Sequence, residues 1–135
     1  IKLCIGQKDE FERMIRAFAE KQNYPDFIAI DGAEGGSGAA HMESLHWAGL
    51  PIVEAVHFVH STLEKYKLRD EIKLMAAGKI ISAFDIYRML ALGADACYSA
   101  RGMMFALGCV QSLKKLKWQI IIKIQYKLLK SYLGQ

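Results

Sequence analysis

Residues 24–40 read YPDFIAIDGAEGGSGAA, an apolar run that empties into glycine. Pro25 and Asp26 mark a start, Phe27, Ile28, Ala29 and Ile30 follow without polar alternation, and Asp31-Gly32 is a turn signal. This predicts a short strand over 26–31, of the kind buried on both faces in a parallel sheet. Gly32, Gly35, Gly36 and Gly38 come next with only Ala, Glu and Ser between them. Glycine admits positive φ and lets a ligand approach backbone N–H groups closely, so glycines at a strand's carboxyl end read as an anion or cofactor cradle. A flexible loop is the plain alternative for the same cluster.

Outward from this stretch the chain alternates. Residues 2–5 predict a first strand ending at Gly6, and 9–21 a helix with Phe11, Met14, Ile15 and Phe18 on one face and Asp9, Glu10 and Glu12 near its start. After the glycine loop a long connection carries His41, His46 and Trp47. Pro51 then opens a helix whose apolar face is Ile52, Val56, Val59 and Leu63. A third strand, 72–77, ends at Gly78-Lys79. A helix over 83–92 follows, with Phe84, Tyr87, Leu90 and Ala91 on one side and Gly93 as its stop. Residues 96–99 predict a fourth strand ending at Ala100-Arg101-Gly102, and residues 103–113 a last helix.

Four βα units imply a parallel sheet with helices packed on it and all strand carboxyl ends on one edge. That edge is where α/β folds bind ligands. The units fit either a small open sheet or half of an eightfold barrel. A dinucleotide fold puts its glycine turn after the first strand and opens a helix from it directly. Here the loop follows the second strand, and the ends of the last two strands offer a glycine turn and a Ser/Arg turn, where eightfold barrels often hold phosphate.

With 135 residues and 53% hydrophobic composition, the chain has the size and apolar content of one domain with a real core. No stretch is long and uncharged enough to predict a membrane span, and the opening Ile1-Lys2-Leu3-Cys4-Ile5 lacks the regions of a signal peptide. A cytoplasmic location is expected. Cys4, Cys97 and Cys109 are too widely spaced to suggest a disulfide framework or a self-contained zinc site. The net charge of +4 hides an asymmetry: residues 114–135 hold six lysines and no acid, so the rest sums to −2. Charge therefore argues against nucleic acid as a partner of the main body.

The series KLCIG, YPDFIAIDGAEGGSGAA, LRDEIKLMAAGKI and FDIYRMLALGADACYSARGMMFALGC resembles the carboxyl-terminal half of the FMN-binding synthase domain of the glutamate synthase family. The resemblance covers residues 1–113. It implies an α/β fold, half of a (β/α)8 TIM barrel whose four parallel βα units are strands five to eight. It also implies FMN as cofactor and reduction of 2-iminoglutarate, formed from 2-oxoglutarate and ammonia, to glutamate. By the same resemblance Lys2 approaches the pyrimidine side of the flavin, where a cation stabilises the charge that collects on N1 and O2 upon reduction. Gly35, Gly36, Ser37 and Gly38 match the loop beside flavin and substrate, and Glu34 holds a position often acidic in the family. Gly78 and Lys79, with Ser99, Ala100 and Arg101, match the clamp for the FMN phosphate. The alternative for Arg101 is an ion pair with Asp85 or Asp95.

Cys109 matches the first of three cluster cysteines, but Lys115 and Ile120 occupy the places of the other two, so no iron–sulfur cluster is expected in this chain. Beyond residue 113 the sequence leaves the family pattern. The segment 114–135, a basic amphipathic tail, reads as a candidate for membrane or nucleic-acid contact or, more simply, as AT-rich text from a shifted frame or incomplete gene. His57 and His60 lie three apart on one helix without an evident third metal ligand. Met75, Met89, Met103 and Met104 read as core filler. An open half-barrel leaves strand edges and an apolar interior uncovered, so an amino-terminal half-barrel or a second copy is the expected partner, and catalysis by the half alone is not expected. The competing function is a non-catalytic FMN- or phosphate-binding half-barrel, or a decayed gene product.

Overall fold

The computed structural model describes residues 1–35, 41 and 47–108. Eight elements alternate along them: β1 (Lys2–Cys4), α1 (Lys8–Lys21), β2 (Phe27–Asp31), α2 (Ile52–Lys65), β3 (Lys73–Ala77), α3 (Ala83–Ala91), β4 (Ala96–Tyr98) and α4 (Ala100–Ala106). The first compact unit is Ile1–Gly102 and the second Met103–Gln135, of which only residues 103–108 are described.

The sheet decides between the two architectures. Its order is β1-β2-β3-β4, every neighbour parallel, so each strand lies beside the next strand in sequence. A doubly wound sheet reverses direction and covers both faces with helices. Here each crossover advances one strand the same way, and right-handed connections then put α1, α2 and α3 on one face. Accordingly one core cluster joins Phe11 and Ile15 of α1, Ala55, Val56, Val59 and Leu63 of α2, and Met89 of α3 to Ile28, Ile30, Leu74 and Ala76 of the central strands. The arrangement is half of a (β/α)8 barrel. Strand alternation sends Lys2, Cys4, Phe27, Ala29, Asp31, Lys73, Met75, Ala77, Ala96 and Tyr98 to the opposite, inner face.

Local chemistry accounts for the element boundaries. α1 carries Asp9 and Glu10 in its first turn, Lys21 in its last, and closes with Gln22 in the left-handed region. α3 opens on a capping box: the Ser82 hydroxyl accepts the Asp85 N–H, while Asp85 accepts the Ser82 N–H. Gly93, at φ +105, packs against the His60 ring where no side chain fits.

Four expectations differ in detail. Pro51 is the N-cap of α2 and lies just outside the helix. The Phe84/Tyr87/Leu90 stripe faces outward, 69%, 69% and 45% exposed, because Ile86 and Met89 carry the packing face of α3. Of the four methionines only Met89 is buried, Met75 is half-buried, and Met103 and Met104 are exposed. α4 begins at Ala100, ahead of residue 103, and its expected continuation to 113 lies outside the described residues. No described helix is long and apolar enough to cross a membrane, and the tail 114–135 also lies outside the described residues.

Candidate functional site at the carboxyl-terminal rim

The register places the ends of all four strands at one rim: Cys4, Asp31, Ala77 and Tyr98 stand in a row across the sheet. Lys2 sits one inner-face layer below, level with Ala29, Met75 and Ala96. Its ammonium lies 3.2 Å from Asp31 Oδ2 and 6.0 Å from the centre of the Tyr98 ring. The Tyr98 hydroxyl donates to Met75 Sδ at 3.1 Å, which orients that ring. Beside them the Cys4 thiol is pushed up in pKa by burial, then by the negative charges of Asp31 and Glu34, so it stays protonated and donates to the Ala48 carbonyl at 3.5 Å.

The segment after β2 is pinned at several points. Gly32 N–H donates to Ala77 O, Ala33 N–H to Leu50 O, and Gly35 N–H to Gly32 O. Both carboxylate oxygens of Glu34 accept from Ile52 N–H, at 2.9 and 3.2 Å. Glu34, whose role the sequence left open, is thus a distant N-cap for α2, where Pro51 supplies no side-chain cap. A Cβ on Gly32 would run into the Glu34 carboxylate and the first residue of α2, including Ile52 N at 2.8 Å.

The turn after β3 holds Gly78 at φ +136 and Lys79 at φ +54. Among the described residues, neither of their backbone N–H groups meets an acceptor. The Ser99 hydroxyl donates to Ile80 O at 2.8 Å, stitching the end of β4 to this turn. Gly102 lets the next turn of chain lie against Ser99 and Ile81 O, which a Cβ would meet at 2.8 Å. Arg101 makes no ion pair among the described residues, because its two sequence-level partners are engaged elsewhere. Asp85 lies 3.8 Å from Arg88 and accepts from the Ser82 N–H, which with the Ser82 hydroxyl and the Ile81 N–H draws its carboxyl below the usual range. Asp95 lies 2.9 Å from Arg69. Lys79 likewise pairs with no described acid.

A rim with two cations that pair with no described acid, backbone donors without described acceptors and a third cation on the inner face could hold an anion. Residues 1–115 match the family model described as the conserved region in glutamate synthase. The chain belongs to the glutamate synthase family. It is 42% identical over 113 residues to the glutamate synthase large subunit-like protein YerD of Bacillus subtilis, covering 84% of this chain and 22% of that protein. It is also 42% identical over 84 residues to the archaeal glutamate synthase [NADPH] of Methanocaldococcus jannaschii (62% of this chain, 16% of that protein). With the glutamate synthase [NADH] of Saccharomyces cerevisiae it shares 35% identity over 85 residues, 63% of this chain and 4% of that protein. The chain therefore spans about a fifth or less of these relatives.

Within this glutamate synthase half-barrel, Lys2, Gly35, Gly78, Lys79, Ser99, Ala100 and Arg101 all lie on the inner face or its carboxyl rim. Gly36, Ser37, Gly38, His46 and Cys109 fall outside the described residues. His41 is exposed. The two helical histidines do not form a metal site: His57 is exposed, while His60 accepts from Arg69 Nε at Nδ1 (3.0 Å) and faces Glu64 through Nε2 (3.3 Å). Arg69 is a permanent donor, so the Nδ1 of His60 is bare and its proton sits on Nε2. Among the described residues no group of three His, Cys, Asp or Glu is placed to hold a metal. The residue that sequence reasoning missed is Asp31, read only as a turn signal. Its signal was available, since it is the one acid in any of the four strands.

Proposed function

We propose that this chain supplies the carboxyl-terminal half of an FMN-dependent glutamate synthase barrel, which reduces 2-iminoglutarate formed from 2-oxoglutarate and ammonia to L-glutamate. The observation that carries this reading is the pair of cations without acidic partners among the described residues, Lys79 and Arg101, at the ends of adjacent strands β3 and β4, in a chain of this family. The donor set fits the cofactor. Lys79, Arg101 and the N–H groups of the Gly78–Lys79 turn would hold the FMN phosphate, and the Ser99-to-Ile80 hydrogen bond keeps the two turns together. Lys2 would face the pyrimidine edge, and Gly35 with Gly36, Ser37 and Gly38 would border flavin and substrate. FMN, when bound, supplies the hydride chemistry; the chain's own residues bind it, orient it and meet its developing negative charge.

The half-barrel reading extends to partners. Phe27, Tyr98 and Ile1 of the inner face and its margins are 41%, 48% and 47% exposed, which supports closure by an amino-terminal half-barrel or a second copy. We place the barrel half at residues 1–113 and the divergent tail at 114–135, with no iron–sulfur cluster on Cys109 alone. Free thiols at Cys4 and Cys97 support a cytoplasmic location. The same rim cations and backbone donors would serve a second reading, a non-catalytic FMN- or phosphate-binding half-barrel.

Titrating FMN into the purified chain and following flavin fluorescence tests the clamp. Quenching that Arg101→Ala weakens about tenfold is expected for loss of one charge-assisted phosphate contact. Equal affinity in wild type and Arg101→Ala would refute the clamp, and absence of quenching would refute FMN binding by this piece alone.

A further inference from the structure

The inner face carries a charge pair that the flavin reading does not require. Lys2 is level with Ala29, yet its ammonium lies 3.2 Å from the carboxylate of Asp31, one inner-face layer closer to the rim. That layer is two residues, about 6.6 Å, along the strand. An exposed lysine at this position has many rotamers, and its stem alone gives it no reason to point up the strand. Asp31 gives it one. The other polar groups of this face are engaged elsewhere: the Cys4 thiol is held protonated and donates to Ala48 O, and the Tyr98 hydroxyl donates to Met75 Sδ at 3.1 Å while its ring lies 6.0 Å from the ammonium. Lys73, the other strand lysine, opens β3 one inner-face layer further from the rim than Lys2, level with Phe27, and its ammonium reaches Asp70 O at 3.5 Å.

We propose that Asp31 is a positioning residue for Lys2: its carboxylate draws the Lys2 ammonium up to the carboxyl rim and governs how readily an anion on the inner face can reach that amine. The anion's identity as the reduced pyrimidine edge of FMN rests on the reading above; the positioning itself does not. A carboxylate at this place also tempers the positive field that a bound flavin would meet, so the pair sets how strongly the site favours the reduced, negatively charged cofactor.

The test labels amines of the full chain with trinitrobenzenesulfonate, itself an anion, and measures modification at Lys2 relative to Lys73 by peptide fragmentation, which also separates Lys2 from the Ile1 amine. Asp31→Asn is expected to raise the Lys2/Lys73 ratio about threefold to fivefold, as befits loss of an exposed charge partner. Asp31→Glu is expected to keep the ratio low, and Tyr98→Phe to leave it unchanged, with circular dichroism confirming that each variant is folded. Equal ratios in wild type and Asp31→Asn would overturn the proposal, and so would a rise in Asp31→Glu as large as in Asp31→Asn. Adding FMN separates the two readings. Protection of Lys2 supports both, whereas an Asp31-dependent ratio that FMN does not alter supports the positioning role and counts against flavin at this face.

Discussion

The two edges of the sheet use similar residues for opposite ends. At the amino edge a network centred on one arginine ties the strands together. Arg69, between α2 and β3, donates from Nε to His60, from Nη1 to Ile72 O at 3.3 Å, and from Nη2 to Gly93 O at 2.8 Å, with Asp95 Oδ2 at 2.9 Å. Asp95 in turn accepts from Leu74 N–H at 2.7 Å and donates its own N–H to Leu74 O at 2.7 Å, tying β4's approach to β3. At the carboxyl edge Lys79 and Arg101 have no described acidic partner, and Gly78 and Lys79 both hold positive φ. A networked edge contributes stability, while one with donors left over could take a ligand, the division of labour seen between the two ends of (β/α)8 barrels.

The most damaging way to probe this contrast is at the amino edge. Arg69→Ala removes four hydrogen-bonded or ionic contacts and leaves Asp95 without its cation; the Arg69 side chain is 17% exposed, so water replaces them poorly. A loss of about 3 kcal/mol in urea denaturation is expected. A loss below about 1 kcal/mol would mean that the network is ornamental and that the amino edge is no better built than the carboxyl one. Next comes a backbone probe at the carboxyl edge. Gly78→Ala forces a side chain into φ +136 with Gly32 N at 3.0 Å, and about 2 kcal/mol is expected, accompanied by weaker FMN binding.

These two positions also show what the sequence could and could not reveal. Gly78 was legible because glycine at a strand's end is a local signal, as were the βα alternation and the stop at Gly93. Arg69 was not legible. Its partners His60, Ile72, Gly93 and Asp95 are spread over 36 residues and share no spacing, so only the fold brings them together. The same holds for Glu34, whose capping of α2 spans 18 residues, and for the outward stripe of α3, where periodicity marked an apolar face but not which face the sheet would take. Local chemistry writes itself into spacing; contacts closed by crossover connections do not.

Acid should also separate the two edges. Burial works against the ionised form of Asp95, but the hydrogen bond from Arg69 and the Leu74 N–H outweigh it, and the carboxyl is held below its ordinary value. A depressed carboxylate contributes stability that is present above the unfolded value, about 3.9, and lost as pH falls through the folded one. Asp95→Asn is therefore expected to cost about 1.5 kcal/mol at neutral pH, a difference that shrinks as pH drops below about 4. A difference independent of pH from 7 to 2 would assign the cost to packing.

The smallest effect is the most pointed. Gln22, Lys67 and Lys79 are the non-glycine residues at positive φ among the described residues. Gln22 and Lys67 follow the ends of α1 and α2, where a left-handed residue closes a helix and a polar side chain tolerates it. Lys79 follows a strand, has no helix to close and pairs with no described acid, so its conformation is a strain without local return. Lys79→Gly should relieve that strain and stabilise the chain by about 0.5–1 kcal/mol, while weakening FMN or inorganic phosphate severalfold. At the amino edge no substitution of Arg69 should stabilise anything. A Lys79→Gly variant that bound anions as well as wild type would remove the reason for keeping a lysine in that conformation, and with it the contrast between the edges.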